Sequence, residues 1–129
     1  MSLSNLRVLE FGDGEYAFAL NGREVEELQK LCGSPDEKGA YRPHGFGVIF
    51  QRAALGAWFH SDIYQTIRLG LEGGGLDPVK ARRIAEAYAR PPYKAGVIGG
   101  PEKTALAILD AAMHGFEDLP SGEAETPKA

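Results

Sequence analysis

The sequence predicts an α+β fold, mainly helical, in which an N-terminal β-hairpin packs on a bundle of four to five helices. Two patterns carry this expectation. Apolar residues alternate on period two in "LRVLEFGDGEYAFAL", around a "GDG" that supplies turn chemistry. From Gly22 onward the apolar positions instead recur at helical spacing, punctuated by Gly, Pro and Asp signals. A lone hairpin is marginal in water, so its apolar face must lie on the helices.

In the hairpin, Leu6 and Val8 of the first strand and Tyr16, Phe18 and Leu20 of the second are expected to face inward. The first helix spans Gly22 to Leu31, with Val25, Leu28 and Leu31 as its apolar stripe and Cys32 extending it. Gly33 stands where a left-handed C-terminal cap would fall. The segment "SPDEKGAYRPHG", Ser34 to Gly45, carries two prolines and two glycines and reads as a long exposed loop.

The next stretch, "FGVIFQRAALGAW" from Phe46 to Trp58, has only Gln51 and Arg52 as strongly polar residues and predicts a central, largely buried helix. "HSDIYQTIRLGLE" follows, with Ser61 or Asp62 as N-cap and Ile63, Ile67 and Leu71 on one face, Tyr64 beside them. Gly73, Gly74 and Gly75 end it, with positive φ expected in at least one of them.

Asp77 as N-cap and Pro78 at the first position open another helix, which Pro91 and Pro92 stop. Its buried stripe is Ala81, Ile84, Ala85 and Tyr88, while Lys80, Arg82, Arg83 and Glu86 face out. The last helix runs from near Pro101 to about Gly115 with Ala105, Ile108, Leu109, Ala112, Met113 and then Phe116 as inner face. The expected organisation is one domain over 1–116 and a disordered tail over 117–129.

Composition narrows function. A length of 129 residues, 43% hydrophobic and 25% charged, suits one ordinary globular domain. A net charge of -4 has the wrong sign for an autonomous nucleic-acid binder. No run reaches the length of a membrane span, and the N-terminus lacks a signal-peptide pattern. Cys32 has no second cysteine to pair with, which favours a reducing, intracellular setting and a packed rather than catalytic thiol.

The three glycines before "LDPVKARR" invite comparison with a phosphate-binding loop. That loop needs a strand before the glycines and a Lys-Ser or Lys-Thr pair after them. Here a helix precedes them, and Asp77 puts negative charge where a phosphate would sit. The same window also fits a helix-turn-helix with basic residues early in its second helix, which would make the chain a small DNA-binding module. The acidic balance and the lack of base-reading side chains there favour a solvated helix face. His44, His60 and His114 lie too far apart for a metal motif, and no carboxylate pair is set for acid-base work. No catalytic, cofactor or metal site is therefore expected.

The run "IFQRAALGAWFHSDIYQTIRLGLEGGGLDPVKARRIAEAY" resembles the core of the gene transfer agent family of small phage-like tail proteins. "FGDGEYAFAL", "ELQKLCG" and "LAILDAAMHGF" match the flanking pattern, so that the resemblance covers about residues 8 to 116; its most specific piece is "IRLGLEGGGLDP". Members are labelled tail tube proteins and are also similar to tail assembly chaperones, which bind the tape measure protein before the tube polymerises. The resemblance implies a non-enzymatic tail protein of a gene transfer agent or prophage. Because a tube wall needs a large sheet and the sequence predicts one hairpin among four to five helices, a chaperone comes first and a structural tube component second. Its implied partners are the tape measure and tail tube proteins, with homo-oligomerisation open, and its place is the cytoplasm during assembly or the tail of the particle. Trp58, Phe59, Tyr64 and Tyr93 are the candidate partner contacts. They are aromatic anchors of the kind that dominate interfaces, and equally the residue types that a core buries.

Overall fold

The computed structural model describes residues 3–94 and 100–117. Among them the order is β1 (Leu3–Ser4), β2 (Arg7–Phe11), β3 (Gly14–Phe18), α1 (Gly22–Leu31), β4 (Ser34–Pro35), β5 (Tyr41–Arg42), α2 (Phe46–Leu55), α3 (His60–Gly73), α4 (Pro78–Tyr88), α5 (Pro101–His114) and β6 (Phe116–Glu117). The described strands pair as three antiparallel two-stranded ribbons, β2 with β3, β4 with β5 and β1 with β6. A hairpin on five helices is the architecture expected.

The hairpin turns at Gly12 and Asp13, because Phe11 pairs directly with Gly14 and Gly12 takes a φ of 62°. That two-residue turn fixes the register and corrects the expected inner face of the first strand. Leu9 stands opposite Tyr16 and Arg7 opposite Phe18, so the odd-numbered residues of β2 share the face of Tyr16 and Phe18. Phe11 is buried with its ring edge-on to Phe18 at 6.0 Å, while Leu6 and Val8 are 45% and 58% exposed. Tyr16, Phe18 and Leu20 turn inward as expected.

Helix α1 begins where the Asn21 amide donates to the Glu24 carboxylate at 3.0 Å. It ends on Cys32 with φ -105°, and Gly33 is not left-handed. Gly33 instead lets the chain pass against β5, since a Cβ there would lie 2.0 Å from the Arg42 carbonyl oxygen. The following loop is exposed, yet it is organised by one carboxylate. Asp36 Oδ1 accepts from the amides of Lys38 (2.9 Å) and Ala40 (2.8 Å), and Oδ2 accepts from Arg42 Nε (3.1 Å).

The largest correction concerns α2. It stops at Leu55, where Gly56 adopts φ 78°, and buries only Ile49 and Ala53. The helix around which the others assemble is α3, which touches α1, α2, α4, α5 and β3 and buries Ile63, Thr66, Ile67, Leu69, Gly70 and Leu71 together with Asp62. Glycine and alanine lower the polarity of the α2 window without giving it much apolar area to bury, whereas the branched residues of α3 supply that area.

At the start of α3 the N-cap is Phe59, through extended backbone, and Asp62 sits three residues in, accepting from the Phe59 amide at 2.9 Å. At its end the Leu76 amide reaches the Leu71 carbonyl (3.0 Å) and the Gly75 amide that of Glu72 (3.0 Å), with Gly75 at φ 108°. This is a Schellman closure, and it meets the positive-φ expectation. Gly73 and Gly74 serve close approach: added Cβ atoms would lie 1.9 Å from the Ala19 oxygen and 2.1 Å from the Ala17 oxygen. The triple glycine thus seats the end of the hairpin against α3.

Helices α4 and α5 follow expectation closely. The Asp77 carboxylate accepts from Val79 N (3.1 Å) and Lys80 N (3.2 Å). Ala81 and Ala85 are buried, whereas Tyr88 is 38% exposed with its ring edge-on to Phe11. In α5, Ala105, Ile108, Leu109 and Ala111 face the core, and Met113, expected inside, is 36% exposed. One cluster of buried apolar residues runs from Phe11 to Leu109. Glu117, expected to open the tail, pairs with Leu3, and the remainder, 118–129, lies outside the described residues.

Candidate functional site

The corner between α2 and α3 is built by Gly56, which ends one helix so that residues 57–59 can swing into the next. Trp58 leaves this corner half-buried, and its ring meets that of Tyr93 edge-on, 4.9 Å between centroids and 76° between planes. At the first position of α3, His60 stacks on Tyr64 one turn further along, at 5.8 Å and 27°, a contact that i,i+4 spacing provides. His60 Nδ1 and the Tyr93 hydroxyl share a hydrogen bond. The Tyr64 hydroxyl donates to Glu86 Oε2 at 2.9 Å, and the Arg90 guanidinium holds the other oxygen of Glu86.

Three of the four candidate contacts, Trp58, Tyr64 and Tyr93, therefore form one cluster. Phe59 leaves it: the residue is 61% exposed and its ring covers the Arg52 guanidinium, 5.2 Å from the centroid. His60, absent from the sequence-based set, is the member that joins Tyr64 to Tyr93. Its spacing from Tyr64 was the available signal.

The ionisation of this corner is set by its hydrogen bonds. The Arg90 and Tyr64 bonds hold the Glu86 carboxyl below the usual carboxylate range. Burial and the neighbouring Glu86 push the Tyr64 phenol up, and burial pushes up that of Tyr93. Both phenols stay neutral donors at ordinary pH. The corner thus offers rigid ring faces with polar tips, a surface suited to contact at low cost in side-chain entropy.

Beneath Phe59 lies a polar network. Arg52 donates to Asp62 through Nε (2.8 Å) and Nη2 (2.7 Å), to the Cys32 carbonyl at 3.3 Å, and through Nη1 to His44 Nδ1 at 2.7 Å. His44 Nε2 lies 3.0 Å from Ser34 Oγ, which superficially resembles a nucleophile and its base. The chemistry runs the other way. A guanidinium has no acceptor, so His44 Nδ1 must accept from it, and Nε2 then carries the proton and donates to Ser34. With its lone pair engaged by Arg52, His44 has nothing with which to take the proton of Ser34.

Cys32 is 2% exposed, donates to the Ser61 carbonyl at 3.4 Å, and burial pushes its thiol up to about 12. That is the packed thiol expected, not a thiolate nucleophile. Among the described residues no group of three His, Cys, Asp or Glu side chains could hold a metal ion. Asp77 occupies the amides at the start of α4 that a phosphate would use. Lys80, Arg82 and Arg83 are exposed along that helix. No described helix is long and apolar enough to cross a membrane.

These features define a small helix-rich protein with an aromatic cluster of Trp58, His60, Tyr64 and Tyr93 at the corner between α2 and α3. The chain belongs to the family described as phage tail tube protein, GTA-gp10, which matches residues 6–115. It is thus a phage tail protein of gene transfer agent type, as the resemblance of its central run implied. No curated protein and no solved structure matches it.

Proposed function

We propose that the chain is a non-enzymatic tail assembly chaperone, which binds the tape measure or tail tube protein during tail morphogenesis. The observation that carries this reading is the strand pairing: the described strands form two-stranded ribbons, the longest of five residues per strand, on a helical body. A ring wall built strand to strand needs a wide sheet with edges to share, and this fold offers none of that width. The family description favours a second reading, a structural component of the tube itself.

In the chaperone reading Trp58, Tyr64, Tyr93 and His60, with Phe59 beside them, shield an apolar helical segment of the partner that would otherwise self-associate. Co-expression of the chain with the tape measure protein and, separately, with the tube protein tests it. The expected result is stoichiometric co-purification with one of them, reduced when Trp58 and Phe59 are both replaced by alanine. Failure to associate with either, or association indifferent to those replacements, counts against the reading and its site respectively.

A further inference from the structure

The β2–β3 hairpin has one edge docked and one edge open. On the β3 side Ala19 donates its amide to the Gly70 carbonyl at 2.9 Å, and the Ala17 carbonyl oxygen lies against Gly74. The backbone groups of Ala17 and Ala19 therefore point away from β2 and into the end of α3. In an antiparallel ladder the residue opposite such a position also turns its amide and carbonyl outward, and the pattern repeats every second residue. Val8 stands opposite Ala17 and Glu10 opposite Glu15, so Val8 and Glu10 aim their N–H and C=O groups out of the β2 edge. Among the described residues no backbone group meets them there, and both are exposed. Edge strands are commonly protected by Pro, Lys or a bulge, whereas β2 pairs without interruption from Arg7 to Phe11 and has none of these.

The side chains define what can lie along that edge. On the solvent face Glu10 stands directly opposite Glu15. Among the described residues neither carboxylate lies within ion-pair distance of a cation. Like charges opposed across a ladder repel, so a cation on a strand added beside Glu10 relieves that repulsion. Two residues earlier Val8 offers an exposed apolar side chain on the same face.

We propose that the β2 edge takes an extended segment of another protein as a third, antiparallel strand, with a lysine or arginine beside Glu10 and a valine, isoleucine or leucine beside Val8. Backbone hydrogen bonds to Val8 and Glu10 supply affinity, and the two side-chain positions supply selectivity. A second copy of β2 fits less well, because its outward positions bring Leu6, Val8 or Glu10 and no cation. Residues 118–129 fit less well too: their one large aliphatic residue, Leu119, and their one cation, Lys128, are nine positions apart (128 − 119 = 9) instead of two. Since the β3 edge is docked on α3, the addition stops at one strand and does not propagate into a wall. The proposal rests neither on the aromatic corner nor on the chaperone reading.

Titration of the isotope-labelled chain with the end-blocked peptide Thr-Lys-Thr-Val-Thr-Val-Thr, followed by amide NMR and hydrogen exchange, tests it. The expected result is saturable shifts and slowed exchange at the Val8 and Glu10 amides by millimolar peptide. Replacing the peptide's lysine with glutamate weakens binding by about tenfold or more, and Glu10→Lys in the chain reverses that preference. N-methylating the peptide's lysine and central valine, whose amides face the edge, abolishes binding. Val8→Pro removes an edge donor that the β3 ladder does not use and has the same effect. Thermal midpoints matching the parent establish that the variants fold; if Val8→Pro does not, the N-methylated peptide decides. No binding at millimolar peptide, binding indifferent to N-methylation, or a charge preference unchanged in Glu10→Lys overturns the proposal. So does slow exchange of the Val8 and Glu10 amides in the peptide-free chain: protection that rises with concentration places a second copy on the edge, and protection independent of concentration places a segment of the chain itself there.

Discussion

Arg52 and Asp62 form a bidentate ion pair at 2.7 and 2.8 Å inside the fold, with the Asp62 side chain fully buried and that of Arg52 only 13% exposed. Ten residues apart, they tie the last turn of α2 to the first turn of α3. Asp62 also accepts the Phe59 amide, so one carboxylate caps α3 and neutralises the guanidinium. Replacing Asp62 by alanine leaves a buried cation and a free helix end, and should cost about 3 to 5 kcal/mol in urea unfolding. Replacing both residues with apolar side chains of similar volume should cost less than either single change, which a double-mutant cycle measures.

The glycine triplet offers a graded test. Gly74→Ala drives a Cβ into the Ala17 carbonyl and should destabilise by about 1 to 3 kcal/mol or more as the hairpin is pushed off α3. Gly75→Ala meets no atom but must hold φ 108°, at a cost of about 1 to 2 kcal/mol. Gly47→Ala, in an open helix position, should instead raise stability by up to about 1 kcal/mol. Thermal melts of the three variants give the order directly.

Cys32 predicts both a reactivity and a pH dependence. Its thiol should resist a soluble disulfide reagent at pH 8 in the native protein and react at once in denaturant. Because folding raises its pKa to about 12 from an ordinary value of 9.0, the folded thiol keeps its proton where the unfolded one loses it. The associated stability is fully present below pH 9 and declines as pH rises from there toward 12. Cys32→Ala should remove that part of the alkaline slope, as chemical unfolding at pH 8 and pH 10.5 will report.

Thr66 buries its hydroxyl in α3 without a hydrogen-bond partner among the described residues. Thr66→Val keeps the shape and removes the stranded polar atom, so it should raise unfolding free energy by about 1 kcal/mol. A decrease in calorimetric Tm would show that the hydroxyl is satisfied after all.

What could be read from the sequence was what neighbouring residues decide among themselves. Asp77 and Pro78 start α4 by local hydrogen-bond accounting, and the glycines end α3 for the same reason. The inner face of β2 was misread because it depends on the turn register and on the bulk of Phe11, which together outweigh the Leu6 and Val8 alternation. The central place of α3 was hidden because glycine and alanine make the α2 window read as apolar while giving it little area to bury. At the aromatic corner Trp58, Tyr64 and Tyr93 were legible as large anchors. The role of His60 depends on Tyr93, thirty-three residues away, and its i,i+4 spacing from Tyr64 is the one part of it that is local.

The central claim, that this chain assists tail assembly without becoming tail wall, is tested most directly by quantitative mass spectrometry of purified particles beside lysate from the same cells. The account predicts abundant chain in the lysate, in complexes containing the tape measure or tube protein, and near-absence from finished tails. Its presence in purified tails in amounts matching the ring subunit would contradict the account and make it a structural component of the tube.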